Sequence, residues 1–250
     1  MFDPQICRHV EGSMTEIQRS VATGHTHYRY GTVPVDRAQA LADRFERRYG
    51  LGLSEDQRSH ARRKKKATYR LVMFPDPHHL CIHWWLMRSP GSHIDDQRKW
   101  HDVRVERITW PWWYELVRLP VDPAHRAKYA KQPGKGRGGK SRINAVTWTW
   151  RIQKSVKHRL KDDVRFYITK SDQRLLQLLK SLRQAPGFRG VRQDLMEIYG
   201  FVRRQCNNSK VAQPEMPKTI RWVRNQRYAR VPLSVLIRRA EKGEASWFPA

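Results

Sequence analysis

Two histidines and an arginine alternate in the first segment that has the pattern of a β-strand, residues 25–33. Alternate positions on a strand share a face, so His25, His27 and Arg29 are expected to point the same way. A histidine can take a proton from a ribose 2′-hydroxyl, and a cation can stabilise the pentavalent phosphorane that then forms. Arg37 can join them, because it lies at the start of the next predicted helix and helix N-termini favour phosphate. The pattern indicates metal-independent RNA cleavage, with an ordinary polar strand face as the alternative.

A second group of reactive residue types lies at His78-His79-Leu-Cys81-Ile-His83 and contains the ligands that zinc prefers. His79, Cys81 and His83 would share one strand face, but residues two apart on a strand are poorly placed to converge on one ion. No second pair with CxxC or HxxxH spacing completes a site. We therefore expect no metal ion and no cofactor.

A strongly basic segment lies in the middle of the chain, where residues 125–161 include twelve Lys or Arg residues and no acidic residue. Its glycine-rich part, 134–139, would let the backbone approach phosphates, and each nearby cation adds salt-dependent affinity. Trp148 and Trp150 would share a strand face and could stack on bases, the alternative being two core tryptophans beside a solvated loop. The residues of this basic loop and helix, 124–161, that are expected to bind RNA are Lys135, Arg137, Lys140, Arg142, Trp148, Trp150, Arg151, Lys154, Lys157, His158 and Lys161.

The composition of the whole chain supports an anionic partner. The 50 Lys and Arg residues exceed the 23 acidic residues, which gives a formal charge of +27. The 39% of hydrophobic residues and the ten tryptophans argue against a disordered basic tail. No apolar run approaches the ~18 residues of a spanning helix, so no membrane partner is expected. Three widely spaced cysteines predict no disulfide framework, and a reducing cytoplasm is the expected location.

A basic helical hairpin is predicted over residues 36–66. Its first helix has Leu41 and Phe45 on one face and ends at Gly50. Ser54 and Gln57 have the spacing of a capping box, which opens a second helix. Because that second helix has almost nothing apolar to bury, we interpret residues 36–66 as a finger projecting from the body. The residues of the second helix expected to bind RNA are Arg58, Arg62, Arg63, Lys64, Lys65 and Lys66.

In the rest of the chain, hydrophobic patterns typical of strands alternate with patterns typical of helices, which predicts an α+β fold. We expect residues 1–250 to form a single RNA-binding protein. Helices are predicted at 150–160, 175–182, 191–206 and 233–240, and residues 207–250 are expected to form a C-terminal extension that packs back on the body. Further strands are predicted at 68–74, 80–87, 103–108, 112–119 and 164–168.

The combination of a first strand carrying His27-Tyr-Arg29, a basic helical finger and a Trp- and Arg-rich second half resembles one protein family. The layout is similar to that of the CRISPR-RNA-processing endoribonucleases of type IV CRISPR systems. The resemblance implies ferredoxin-like, RRM-like sheet units that bind a repeat stem-loop and cut it without metal. It also implies that the product stays bound in a CRISPR ribonucleoprotein with other subunits. The cleavage centre implied for this chain is drawn from Arg29, Arg37, His27, Arg238 and Arg239.

Two other functions fit the same charge. The protein can be a non-catalytic DNA-binding protein of a plasmid or mobile element, with helices 191–206 and 233–240 entering a major groove. It can also be a basic structural subunit that holds a ribonucleoprotein together without chemistry. Relative affinity for RNA hairpin and duplex DNA separates the first of these from RNA processing.

Overall fold

The computed structural model of the chain describes residues 1–92, 99–111, 113–124, 145–217, 220, 222–223, 228–244 and 246–249. The protein consists of two compact units. The first unit is Met1–Ile108 together with Asn225–Ala250, and the second unit is Thr109–Arg224. Both units combine helices with an antiparallel sheet, so the predicted α+β class is confirmed.

The elements below are numbered along the chain. Two short 3-10 turns lie at Val35–Arg37 and Pro77–His79. In chain order the elements are β1 (Gln5–Cys7), α1 (Val10–Ala22), β2 (His27–Pro34), α2 (Ala38–Tyr49), α3 (Glu55–Arg63), β3 (Tyr69–Asp76), β4 (Cys81–Arg88), β5 (His101–Asp102), β6 (Thr109–Trp110), β7 (Tyr114–Pro120), β8 (Val146–Ile152), α4 (Lys154–Lys170), α5 (Asp172–Arg183), α6 (Arg189–Asn208), β9 (Arg230–Pro232) and α7 (Leu233–Glu241).

The main sheet of the first unit has the strand order β3-β4-β2-β5, and all its neighbouring strands are antiparallel. Strands β2 and β3 are therefore parallel to each other, with β4 between them. The chain passes from β2 to β3 through α2 and α3, which makes a split β-α-β unit. This arrangement is compatible with the ferredoxin-like sheet that was predicted.

Helix α2 packs on this sheet through residues spaced four apart. Leu41, Phe45 and Tyr49 are buried, and the Phe45 ring lies 5.2 Å from that of Trp84 on β4. Gly50 ends the helix in the left-handed conformation, with φ of 60°. The first helix of the predicted finger is thus a core element. The second helix, α3, has no buried residue, and its projection from the body stays a prediction.

Both ends of the chain contribute to the first unit. Strand β1 pairs with β9, and Ser234 on α7 donates two hydrogen bonds to the carboxylate of Asp3. Leu233, Leu236 and Trp247 are buried in the same core as α2. Helix α1, which the sequence analysis missed, lies beside β1 and β3.

The second unit contains the sheet β6-β7-β8 and the helices α4, α5 and α6. The predicted strand 164–168 is wrong, because these residues form the second half of α4. Val164 and Ile168 continue the four-residue spacing of Val156 and Leu160, and all four side chains are buried. The predicted helix 150–160 is wrong at its start, since β8 continues to Ile152.

Residues 103–108 were also predicted to form a strand, and that prediction is wrong. The chain turns after β5, because the backbone N–H groups of Val105 and Glu106 both bond to the carbonyl of Asp102. Asp102 also holds the turn through its side chain, which pairs with Arg104 at 2.5 Å. Within the described part of the chain, none of the helices is both long and apolar enough to cross a bilayer.

The buried carboxylate of Asp194 connects α6 to β8 and α4. It accepts hydrogen bonds from the guanidinium of Arg151, from the backbone N–H of Ile152 at 3.0 Å and from Lys157 at 3.2 Å. The side chain is fully buried. Close contact of α6 with β8 also depends on Gly190, because any Cβ there would clash with the carbonyl of Trp150.

We predict that Asp194→Ala lowers the free energy of unfolding by about 3–5 kcal/mol, because it leaves Arg151 and Lys157 partly buried without their shared carboxylate. Urea denaturation followed by tryptophan fluorescence measures the loss. The matched control is Asp162→Ala, which removes an exposed carboxylate paired with Arg165 and should cost less than about 1 kcal/mol. Equal losses of unfolding free energy in the two variants would show that Asp194 stabilises the unit no more than an exposed carboxylate does.

Candidate nucleic-acid interface

The basic residues at the end of α3 follow a well-capped helix. The hydroxyl of Ser54 accepts from the backbone N–H of Gln57 at 3.2 Å, and the Gln57 side chain accepts from the Ser54 N–H at 2.8 Å. This is the predicted capping box, and it is confirmed. The guanidinium of Arg58 donates to the carbonyl of Leu51 at 2.8 Å and anchors the helix to the chain before it.

The turn after α3 fixes the backbone of the basic residues. Lys65 has a left-handed φ of 56°, and its carbonyl accepts from the N–H of Ser92 at 2.9 Å. The N–H of Ala67 donates to the Ser92 carbonyl at 2.8 Å. Gly91 is required beside this turn, because a Cβ there would lie 2.6 Å from the Lys65 carbonyl oxygen. The cations are therefore presented from a fixed backbone.

The side chains at this turn carry unneutralised charge. They are Arg62, Arg63, Lys64, Lys65 and Lys66, which we call the α3 basic run, and all five are exposed. Among the described residues, none of these five pairs with a carboxylate. Five adjacent cations repel one another, so an anion bound across them is favoured. The sixth residue predicted to bind RNA in this segment, Arg58, instead has a structural role through its hydrogen bond to the Leu51 carbonyl.

His25 is buried between Ser20 and Thr68 and is a structural residue. It is 1% exposed, and its ring bonds to the carbonyl of Ser20 and to the hydroxyl of Thr68, both at 3.2 Å. Burial, together with the nearby charges of Arg70 and Arg62, lowers the pKa of His25 to about 4. The expectation that His25 joins His27 and Arg29 on one exposed face is wrong, because β2 begins only at His27.

His27 and Arg29 lie at the start of β2, next to one cation, Arg88, that was not predicted from the sequence. His27 is directly opposite Arg88 on β4 and Asp102 on β5. The guanidiniums of Arg29 and Arg88 lie 5.7 and 5.0 Å from the ring of Trp100. We call His27, Arg29, Arg88 and Trp100 the β2-start cluster. It combines one imidazole with two guanidiniums on one face of the sheet.

The other predicted cleavage residues lie at the opposite end of the strand. Arg37 lies three residues after the end of β2, and the eight-residue strand is roughly 23 Å long at ~3.3 Å per residue. Helix α7, which carries Arg238 and Arg239, lies beside the turn that contains Arg37. Arg238 is exposed, whereas Arg239 pairs with Glu244. The structure does not bring the five predicted residues into one centre.

Three cations predicted to bind RNA in the second unit have carboxylate partners instead. Arg151 and Lys157 bind Asp194, and Lys157 and Lys161 bind Glu197 at 2.8 and 2.6 Å. Hydrogen bonds from the two lysines lower the pKa of Glu197 to about 2. These contacts join α4 to α6. Lys154 and His158 are exposed, and neither forms an ion pair within the described residues.

The two tryptophans predicted to stack on bases differ in exposure. Trp150 is fully buried against the edge of Trp110, so the prediction that it stacks on RNA is wrong. Trp148 is partly exposed, and the guanidinium of Arg118 lies 5.8 Å from its ring. The predicted contacts Lys135, Arg137, Lys140 and Arg142 lie outside the described residues.

One group of side chains in the described part of the chain has the residue types and spacing to hold a metal ion. The ligand atoms of Asp76, Cys81 and His83 lie within 4.8 Å of one another. From the sequence, His79, Cys81 and His83 were not expected to converge on one ion. Asp76 was not among the predicted ligands, and the β3–β4 register places it opposite Cys81.

We predict that His25 makes the first unit less stable in mild acid. Its folded pKa of about 4 lies below the ordinary value of 6.5, so the unfolded chain binds the proton more readily. Stability is therefore unaffected above pH 6.5 and falls by up to about 3 kcal/mol as the pH drops towards 4. Urea denaturation across this range gives the free energy of unfolding at each pH. Its slope against pH should be shallower for His25→Gln than for the exposed control His78→Gln. Identical slopes in the two variants would show that His25 does not cause the loss of stability in acid.

Comparison with known proteins gives no relative from which a role could be transferred. No protein-family model, no curated protein and no solved structure matches the chain. A functional proposal must therefore rest on the contacts and charges of the α3 basic run and the β2-start cluster.

Proposed function

We propose that this protein binds an RNA hairpin such as a CRISPR repeat stem-loop, cleaves it without a metal ion, and keeps the product as a subunit of a CRISPR ribonucleoprotein. The observation that carries the proposal is the α3 basic run, with five exposed cations on a fixed turn. The free thiols of Cys7, Cys81 and Cys206 suit a reducing compartment, and the proposed location is the cytoplasm.

RNA binding is supported by how the cations are presented. Phosphates along a duplex can each meet one cation of the run, and every such contact releases a counterion. The fixed backbone at Lys65 and Ser92 reduces the entropy lost on binding. Lys154, His158 and the half-exposed Trp148 offer further contacts to phosphates and bases in the second unit.

Cleavage is assigned to the β2-start cluster. His27 takes the proton from the 2′-hydroxyl, and the freed oxygen attacks phosphorus to form a cyclic phosphate. Arg29 and Arg88 balance the additional negative charge of the phosphorane. The bond to the 5′-oxygen breaks, and that oxygen takes a proton from solvent. Both guanidiniums lie over the ring of Trp100, which fixes their orientation without removing their charge.

We predict that the triple variant Arg63→Gln, Lys64→Gln, Lys66→Gln weakens binding of an RNA hairpin. Loss of three phosphate contacts should reduce the slope of log affinity against log salt by about 2–3. The matched control is Lys170→Gln, Arg174→Gln, Lys180→Gln, which removes three exposed cations from the second unit. Fluorescence anisotropy over a salt series measures both slopes. The binding surface is misassigned if the control loses as much as the test variant, and tighter binding to duplex DNA at equal salt would contradict the RNA preference.

We predict that single-turnover cleavage of a repeat RNA proceeds in EDTA and slows by about 100-fold or more in His27→Ala, since general-base catalysis contributes that much. Arg29→Gln should also slow cleavage, because the phosphorane loses a cation. The matched control is Arg238→Gln, an exposed arginine on α7, and its rate should not change. Gel analysis of the products gives the rates. Uncut RNA in EDTA, or a full rate for His27→Ala, would refute the proposed chemistry.

A further inference from the structure

The turn between β3 and β4 brings together donor atoms from both strands. Asp76 ends β3 and lies directly opposite Cys81, which begins β4. His83 lies two residues further along β4 and therefore projects from the same face as Cys81. The 3-10 turn Pro77–His79 connects the strands. One carboxylate oxygen, one sulfur and one imidazole nitrogen thereby lie within 4.8 Å of one another.

The spacing of these atoms suits a tetrahedral metal ion. The Nε2 atom of His83 is 3.5 Å from the Oδ2 atom of Asp76. Zinc bonds of about 2.0–2.2 Å to nitrogen and oxygen place two tetrahedral ligands about 3.3–3.6 Å apart. An ion could therefore bind both atoms without movement of the strands. A mixed set of oxygen, sulfur and nitrogen donors favours zinc and similar late transition metals over magnesium or calcium.

The surrounding side chains orient the donors. The hydroxyl of Tyr30 lies 2.9 Å from the Nδ1 atom of His83, which leaves the Nε2 atom directed at Asp76. Metal-binding histidines commonly hold their second nitrogen in this way. His79, whose side chain is 71% exposed, lies 2.7 Å from the Asp76 carboxylate and can turn to reach an ion beside it.

The ionisation of these groups is compatible with metal binding. Burial alone would raise the pKa of Asp76, but hydrogen bonds from His79 and His83 and the charge of His79 lower it. Asp76 is therefore an ionised carboxylate near neutral pH. Burial lowers the pKa of His83, which keeps its imidazole neutral. Burial raises the pKa of Cys81, so metal binding must displace the thiol proton.

We propose that Asp76, Cys81 and His83 bind one late transition-metal ion, for which zinc is the probe, and that His79 completes the coordination. The ion joins the ends of β3 and β4 and stabilises their turn. The site is independent of the proposed RNA chemistry, which uses the opposite end of β2. A merely hydrogen-bonded Asp–His turn is the competing explanation.

The test uses the full chain without an affinity tag, stripped of metal by a chelator. Titration with Co²⁺ should give one thiolate-to-cobalt absorption band per chain, and competition with Zn²⁺ should remove it. Cys81→Ser should abolish the band, and Asp76→Asn should weaken zinc binding by about 100-fold or more. Tyr30→Phe, which removes only the outer hydrogen bond, should weaken zinc binding about 10-fold. His78→Ala is the matched control, because this histidine lies in the same turn outside the ligand set.

The site would be overturned by the absence of a thiolate band in the native chain, or by equal zinc affinity in Cys81→Ser and the native chain. A loss in His78→Ala as large as in Asp76→Asn would also overturn it. Circular dichroism of each metal-free variant checks folding, and Cys81→Ser is a mild change at a partly exposed position. Cleavage of RNA in EDTA is measured separately, so failure of the metal site leaves the proposed function untouched.

Discussion

A shortage of carboxylates is the constraint on which the rest of the structure depends. The chain has 50 Lys and Arg residues but 23 Asp and Glu residues, so most cations have no acidic partner available to them. The second unit shares its buried carboxylate, since Asp194 serves both Arg151 and Lys157. The α3 basic run has no such partner within the described residues. Repulsion among these cations opposes compaction, and a polyanion bound to them would stabilise the fold.

Aromatic rings stabilise part of the positive charge that exceeds the number of carboxylates. Trp100 lies under the guanidiniums of Arg29 and Arg88, and the Trp222 ring lies 3.2 Å from the guanidinium of Arg192. A ring attracts a cation through its electron-rich face but does not neutralise it. The guanidinium keeps its full charge and its N–H groups while its orientation becomes fixed. Stacking on a ring therefore orients these arginines without neutralising them, unlike an ion pair with a carboxylate.

The sequence predicts the elements whose signal is local and misses what depends on pairing between distant segments. The capping box of Ser54 and the alternation of β2 are local, and both elements form close to their predicted bounds. Four of residues 164–168 are β-branched or aromatic, yet helical packing of Val164 and Ile168 overrides that preference. The sequence does not show which basic side chains face a carboxylate in the folded chain, so the ion pairs of Lys157 could not be predicted. The register of β3 against β4, which brings Asp76 to Cys81, is also invisible in either strand alone.

The split β-α-β topology determines how far apart the two candidate sites lie. Strand β4 is antiparallel to both β2 and β3, so the start of β2 lies beside the end of β4, where His27 faces Arg88. The end of β2 lies beside the start of β4, where Pro34 faces Cys81. His27 and Cys81 therefore lie at opposite ends of the paired strands, roughly 23 Å apart along β2 at ~3.3 Å per residue. No residue belongs to both groups, and they are connected through the shared strands, where Tyr30 follows Arg29 and contacts His83.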